Sequence, residues 1–388
     1  MNGLVICTKK CNLACSYCFE SGHSNPHGFN VLGGVPHSFD IFLDEYFEGF
    51  LKQLIAVNKQ LNRRNTVVTF HGGEPLLVGY QALEKAFHIA KRCDESVSLS
   101  IQTNGTLIDD SLVELFKRFD VSVGISIDGP AFLHDWYRVS QSGRGSFYRV
   151  MQSIELLKAN NVPVGGLATV TSESARFARN VYDFFKRCSL DFTMNPCTCA
   201  SSDEPTPGAC DPESFSMFCK NLFDIWVSDS AKGEKPLSIG YFEDIINSLL
   251  VLDKPWMGNC NYIPNCNGTT TTIAIDSDGD LFRCLHYCSD KSNSLGNVRD
   301  VLIADVCDFD NGNNSRWDYL SDNDCKDCDI AGHCYGGCPY AAEVENGSIY
   351  SRPQTCRSHS EIVRYIHAYL MRFCKDESLG ASFACENN

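Results

Sequence analysis

No stretch of this 388-residue chain approaches the ~20 consecutive apolar residues that cross a bilayer, and the N-terminus carries no signal-peptide pattern. Neither a membrane partner nor secretion is expected, and a cytoplasmic location is. Positive charge is scarce: 33 Lys and Arg face 48 Asp and Glu, for a net charge of −15. Nucleic acid and anionic lipid need clustered cations, so both are excluded as expected partners. The balance favours cationic or neutral ones. Tandem repeats are absent too.

What the chain does have is cysteine, 22 in all, in a sequence that is 43% hydrophobic. A chain of this length holds one large domain plus a smaller one, and its apolar content builds a core without disulfide staples. In a reducing compartment, clustered cysteines point to metal ligands. They cluster here: Cys11 to Cys18 at one end, Cys260 to Cys356 at the other. Cys93, Cys188, Cys219, Cys307, Cys374 and Cys385 match no ligand spacing and read as ordinary thiols.

The sharpest signal is Cys11-x3-Cys15-x2-Cys18, directly after the apolar residues Leu4-Val5-Ile6. Three thiolates on one loop can hold three irons of a [4Fe–4S] cluster and leave the fourth open, the mark of a catalytic rather than a closed structural centre. A zinc knuckle is the competing reading. Tyr17 precedes the last cysteine, where its ring can cover a cluster.

The first half alternates strand-like segments (4–7, 66–71, 97–103, 121–128, 164–170, 192–196) with amphipathic ones (39–54, 81–92, 111–119, 147–160, 175–186). Six such repeats predict an α/β fold with a parallel sheet, either open or a partial barrel. A break falls within 200–235, which is rich in Ser, Asp, Pro and Gly, and 215–227 and 241–252 read as bridging helices. Motifs fall where the strands end: the cysteine loop, Gly72-Gly73-Glu74-Pro75, Gln102-Thr103-Asn104-Gly105 and Ser126-Ile127-Asp128-Gly129. That face carries the active site in parallel α/β folds. Gly72 and Gly73 are expected to expose backbone N–H and C=O groups to a ligand, with Glu74 beside them, and Ser126 to hold a carboxylate or ribose. Arg138 is either a carboxylate clamp or a surface ion pair. Gly143-x-Gly145 is no dinucleotide loop, since no strand leads into it.

These motifs resemble the radical S-adenosylmethionine (SAM) superfamily, in which the open iron chelates SAM and one electron releases a 5′-deoxyadenosyl radical. From Cys266 onward, Gly279-x4-Cys284, Cys325-x2-Cys328-x5-Cys334-x3-Cys338 and Cys356 match the SPASM extension of enzymes that act on peptides and proteins, with Cys260 as an eighth cysteine. The resemblance implies two auxiliary [4Fe–4S] clusters, one on Cys260, Cys266, Cys284 and Cys338, the other on Cys325, Cys328, Cys334 and Cys356. With the SAM cluster on Cys11, Cys15 and Cys18 that makes three. It further implies a partial (βα)6 barrel over 1–235, a bridging helix in 236–257, an iron–sulfur-stapled, loop-rich SPASM domain over 258–374 and a tail at 375–388. The expected partners are a peptide or protein substrate and an electron donor such as flavodoxin or ferredoxin. The first strand begins almost at residue 1, so any leader peptide is expected to bind the core or a separate protein.

Within the superfamily the chain is most similar to the anaerobic sulfatase-maturating enzymes, through Gly-Gly-Glu-Pro, 102–109 (QTNGTLID), 123–130 (VGISIDGP), 221–226 (NLFDIW) and the cysteine frame. Those enzymes oxidise a Cys or Ser of a sulfatase to formylglycine, and their proton acceptor is an Asp directly after a cluster cysteine. Here that position, after Cys284, is Leu285. His286 is an imaginable replacement base, with a surface histidine as the alternative. Glu20 and His71 also depart from the maturase pattern. The reading is therefore a SAM-cleaving enzyme that abstracts hydrogen from a peptide or protein side chain, for cross-link or thioether formation. A maturase is the alternative, and a plain electron carrier the non-enzymatic one.

Overall fold

The computed structural model describes residues 1–18, 37–63, 65–198, 206–231, 237–250, 272–306 and 315–375. Six parallel strands lie side by side in chain order: β1 (Asn2–Ile6), β2 (Val67–His71), β3 (Ser98–Thr103), β4 (Ser122–Ser126), β5 (Val164–Val170) and β6 (Phe192–Pro196). Their two faces differ in chemistry. Val68, Phe70, Leu99, Ile101, Val123, Ile125, Ala168 and Val170 are buried in the main core with the surrounding helices. The alternate positions, among them Thr69, His71, Ser100, Gln102, Gly124, Ser126 and Thr169, are polar or small and half-buried. A parallel sheet covered by helices on both faces reads as continuous apolar runs. Helices on one face and small polar residues on the other make an incomplete barrel with a polar interior.

The outer helices form where the sequence supplies amphipathic runs and stops. Asp109 caps the Asp110–Phe119 helix by accepting from Leu112 N at 2.9 Å, and Asp211 caps Pro212–Ser230 through Ser214 N at 2.9 Å. A row of aromatic rings ties helices to strand: Phe42 to Phe47 at 5.5 Å, Phe47 to Phe70 at 5.9 Å, Phe70 to Phe87 at 5.2 Å. All are fully buried, each contributing about 1.5–3 kcal/mol by leaving water. The segment read as one helix over 39–54 is instead His37–Phe42, a π-helical turn Leu43–Phe47 and Glu48–Gln60. The wider turn lets Phe42, Leu43 and Phe47 all reach the core.

The C-terminal segment does more than follow the barrel. β7 (Thr272–Ile275) pairs in parallel with β1, and β8 (Leu281–Phe282) pairs antiparallel with β7, so one eight-stranded sheet joins both halves of the chain. The Thr355–Lys375 helix returns to the first half, where Tyr369 meets Phe223 edge-on at 5.2 Å and Glu361 pairs with Lys220 at 2.9 Å. A short helix, Ala131–Tyr137, follows β4 where sequence periodicity gave none.

Candidate active site

The cysteine loop leaves β1 at the end of the sheet where the strand-end motifs gather. It is bolted to β2 by the backbone: Cys7 N donates to His71 O at 2.9 Å, Gly73 N to Thr8 O at 2.7 Å, and Glu74 N to Lys10 O at 2.8 Å. This approach needs glycine. A Cβ on Gly72 would overlap the Thr8 carbonyl and one on Gly73 the Lys10 carbonyl, and Gly72 sits at φ +140°. Gly72 N donates to His71 Nδ1 at 2.7 Å. The N–H groups expected to face a ligand are thus engaged within the chain, which corrects that part of the sequence reading. Carbonyl oxygens are the groups here that can meet an ammonium.

Glu74 is fully buried and accepts three hydrogen bonds, from Leu76 N at 3.1 Å, Thr103 Oγ1 at 2.6 Å and Asn104 N at 2.8 Å. Burial pushes its pKa up to about 7 against the pull of those bonds. Asn104, so held, reaches the cysteine loop: its Nδ2 lies 2.8 Å from Asn12 Oδ1 and 3.8 Å from Cys11 Sγ. Leu13 N also donates to that sulfur at 3.5 Å. Burial raises the Cys11 thiol to about 11 and Cys15 to about 12, so metal ligation displaces a proton from each.

The far side of the loop pairs with the chain after β4. Ala14 N donates to Val139 O at 2.8 Å and Ser16 N to Tyr137 O at 3.3 Å. Tyr17 Oη donates to Asp128 Oδ2 at 2.5 Å, and its ring lies under the Arg138 guanidinium at 5.3 Å. Arg138 grips Asp128 with Nε at 2.9 Å and Nη2 at 3.2 Å, and Thr169 N donates to the same carboxylate at 2.9 Å. Burial alone would raise the Asp128 pKa, but Arg138 and then His134 outweigh it and hold it below the ordinary range. Arg138 is therefore no surface ion pair: it is 8% exposed and turned onto an internal partner. Asp128 was not singled out from sequence, although an acid at a strand end ten residues before an arginine was the available signal. Ser126 faces the interior and accepts from Gln102 Nε2 at 3.2 Å, and Thr69 and Ser100 hydroxyls meet at 2.6 Å.

In the C-terminal half, burial is the first cause that raises Cys325, Cys334 and Cys356; Cys356 and Cys328 add to it at Cys325, Cys356, Cys325 and Cys328 at Cys334, and Cys328 at Cys356. Arg352 offsets this at Cys325 and Cys356. Cys338 is raised by burial and lies in the field of Arg316 and Glu345 instead. Cys284 stands beside Tyr287, whose ring packs at 5.2 Å on Tyr340, two residues past Cys338. Cys260, Cys266 and Glu20 lie outside the described residues. Among the described residues, no three His, Cys, Asp or Glu side chains are placed to hold a single metal ion.

Leu285 packs with Leu4 and Cys284 against Ile6, Ala274 and Phe282. His286 is no surface histidine. Its ring stacks on Tyr340 at 4.8 Å, and burial, with a smaller push from His71, lowers its pKa to about 4, which makes it a weak proton acceptor. The electrostatic reach between His71 and His286 brings the end of β2 and the segment after β8 to one corner of the interior.

Residues 5–175 match the radical SAM superfamily. The cysteine-type anaerobic sulfatase-maturating enzyme of Clostridium perfringens is 31% identical over 368 residues, covering 92% of this chain and 93% of that protein. The radical SAM cyclopropyl synthase TigE of Paramaledivibacter caminithermalis is 25% identical, covering 96% of this chain and 76% of its own. Among solved structures, native anSMEcpe with bound AdoMet superposes with a TM-score of 0.79 at 28% identity, covering 97% of this chain and 100% of that one, and a form with AdoMet and the Cp18Cys peptide scores 0.78 at 27% identity, covering 97% and 99%. The chain is an enzyme of the radical SAM superfamily and belongs to the family that contains the anaerobic sulfatase-maturating enzymes.

Proposed function

We propose that this enzyme modifies a side chain of a peptide or protein by hydrogen abstraction, and that formylglycine is not its main product. The observation that carries the reading is the polar, half-buried barrel interior beside a three-cysteine loop whose Cys11 sulfur already receives two N–H donors. The relatives named above are maturases, a cyclopropyl synthase and a maturase structure holding a peptide, which supports a peptide-type substrate.

Cys11, Cys15 and Cys18 would hold a [4Fe–4S] cluster through three irons, with SAM at the fourth. Together these supply a strongly oxidising carbon radical. The chain's own contribution is placement. Glu74 fixes Asn104 against Cys11, and the Asp128–Arg138 pair fixes Tyr17. The Gly73 carbonyl and Ser126 Oγ stand ready for the amino group and for the carboxylate or ribose of SAM, and Nη1 of Arg138 is left for a carboxylate once Asp128 takes its other edge. Two auxiliary clusters would take Cys325, Cys328, Cys334 and Cys356, and Cys284 and Cys338 with Cys260 and Cys266.

The maturase reading stays as the second one, favoured by the 31% identity over most of both chains. Against it stands Leu285, an apolar side chain where the family resemblance puts a proton-accepting Asp, with His286 too weakly basic beside it. A missing general base typically costs about 10²–10⁴-fold. Anaerobic turnover on a sulfatase-derived Cys peptide, read by mass spectrometry, should give SAM cleavage with little formylglycine, and Leu285→Asp should raise the yield. Robust formylglycine formation by the unaltered enzyme would turn the assignment over to the maturase reading.

A further inference from the structure

Cys334 and Cys338 stand close in the chain but belong, in the reading above, to two different auxiliary clusters. Between them lie Tyr335, Gly336 and Gly337, with φ of +50°, +80° and +71°. Glycine takes that conformation freely and tyrosine does not, so the run needs holding. Arg316, on the Ser315–Asp322 helix and 3% exposed, holds it. Its Nη1 donates to Tyr335 O at 3.3 Å and to Gly337 O at 3.2 Å, and its Nη2 to Gly336 O at 2.9 Å. Nε donates to Ile349 O at 2.5 Å and Nη2 also to Ser351 O at 3.3 Å, on the stretch that leads to Cys356. A guanidinium has five N–H donors, and five carbonyl oxygens meet it here. The glycines make the approach possible, since a Cβ on Gly336 would stand 3.2 Å from Arg316 Nη1 and 2.4 Å from Leu320 Cδ1.

The same loop meets both cysteines from its other side. Tyr335 O and Gly336 N belong to one peptide group, and the Gly336 amide is hydrogen-bonded to the Cys334 sulfur. A cation on the carbonyl of a peptide strengthens its N–H as a donor, so Arg316, that peptide and Cys334 form one polarised line. Cys338 is raised by burial, and against this the Ala341 and Tyr340 amides and the charge of Arg316 favour its thiolate. Hydrogen bonds to the sulfurs and the charge around a cluster are two of the levers that set its reduction potential. A reduced cluster carries one more negative charge than an oxidised one, so donors and cations both stabilise the reduced form.

We propose that Arg316 is a positioning residue that raises the reduction potentials of both auxiliary clusters, through the Tyr335–Gly336 peptide at Cys334 and through its own charge at Cys338. The two routes differ in what they ask of the side chain. The first needs the planar fork that reaches the Tyr335 carbonyl, and the second needs only a buried positive charge. The proposal rests on the auxiliary-cluster assignment above.

The test uses anaerobically reconstituted, full-length enzyme, with iron counted and the cluster midpoints read by potentiometric titration followed by electron paramagnetic resonance. The N-terminal cluster, marked by the response of its signal to added SAM, is the internal control. Arg316→Gln should lower the equilibrium constant for reducing each auxiliary cluster roughly tenfold, a fall of about 59 mV for one electron, and leave the control in place. Arg316→Lys keeps the charge but not the fork, so it should restore the cluster on Cys338 more fully than the one on Cys334. Full iron with unmoved auxiliary midpoints in Arg316→Gln overturns the proposal. So does loss of auxiliary iron from both variants, which is what a strut without an electrostatic role gives, and so does a control that shifts as far as the auxiliary clusters. If Cys334→Ala and Cys338→Ala leave the iron content of the enzyme unchanged, it is the auxiliary-cluster assignment that fails instead.

Discussion

Replacing Arg138 by Met should destabilise the protein by about 3 kcal/mol, near the lower edge of the 3–5 kcal/mol that breaking a buried ion pair typically costs. The figure follows from what remains around Asp128. The pair is almost dry, with side-chain exposures of 10% and 3%. Without the guanidinium the carboxylate keeps the Tyr17 hydroxyl and the Thr169 amide, so it is not abandoned outright. Its desolvation is then no longer offset, its pKa rises, and protonation becomes the cheaper state. The stability gap between the two proteins should accordingly narrow as pH falls below roughly 5, because the variant then holds a neutral acid. The double variant Asp128→Leu/Arg138→Met should recover part of the loss, since no buried charge is left. Anaerobic urea unfolding followed by near-UV circular dichroism from pH 4.5 to 8 measures all three. A gap under about 1 kcal/mol, flat with pH, is what an exposed ion pair gives, and it would refute the internal pairing.

Gly73→Ala should weaken iron binding at the N-terminal loop and cost roughly 1–3 kcal/mol, because its Cβ meets the Lys10 carbonyl in backbone rather than in a yielding side chain; iron content and urea midpoints check it. Cys325→Ala should abolish product formation on substrate and leave SAM cleavage in place, judged by chromatography of 5′-deoxyadenosine against mass spectrometry of the peptide. Stability should fall as pH drops from about 6.5 to about 4, since burial lowers His134 to about 4 while the unfolded chain protonates near 6.5; at about 1.4 kcal/mol per unit this reaches about 3 kcal/mol by pH 4, and His134→Gln should flatten the slope. Glu74 acts in the opposite sense, its raised pKa of about 7 costing stability as pH climbs from its ordinary range, so Glu74→Gln should steepen the net rise of stability with pH between about 4.5 and 7.

The strands were legible because each is a short β-rich run closed by turn chemistry. Residues 164–170 and 192–196 come out to the residue, while the stretch read as 121–128 ends as a strand at Ser126, since Asp128 turns off to meet Arg138. The Cys11, Cys15 and Cys18 triad stands out in sequence by its short spacing, and the structure sets it on one loop hydrogen-bonded to the chain at the end of β2 and after β4. The joining of both halves in one sheet was not. Thr272–Ile275 is four residues of ordinary apolar sequence in a segment without periodicity, and nothing local says that it will lie beside β1. The Ala131–Tyr137 helix failed for a related reason: seven residues are under two turns of pattern, and exposed Phe132 and Trp136 break the amphipathic rule. For Arg138, sequence supplied the residue but not its partner, since that depends on how the ends of β4 and β5 meet around Asp128.

Among the described residues, positions where this chain departs from the maturase pattern are scattered in sequence yet meet in space. His71 ends β2, Leu285 and His286 follow β8, and β7 docking against β1 brings the two segments to one corner of the barrel interior. Elsewhere the structure around the cysteine loop is tightly determined: two glycines that admit no Cβ, a buried glutamate with three donors, and a buried ion pair under Tyr17. A chain losing its chemistry would be expected to loosen there first. The changes instead collect in one corner of the barrel interior, and each moves that corner in one direction. Leu285 replaces a charge with an apolar contact, and burial keeps both His71 and His286 neutral, with pKa values of about 4. Under the function proposed above, such a corner suits a substrate whose reaction needs no carboxylate base after hydrogen abstraction, as when the carbon radical closes onto a neighbouring group of the same peptide.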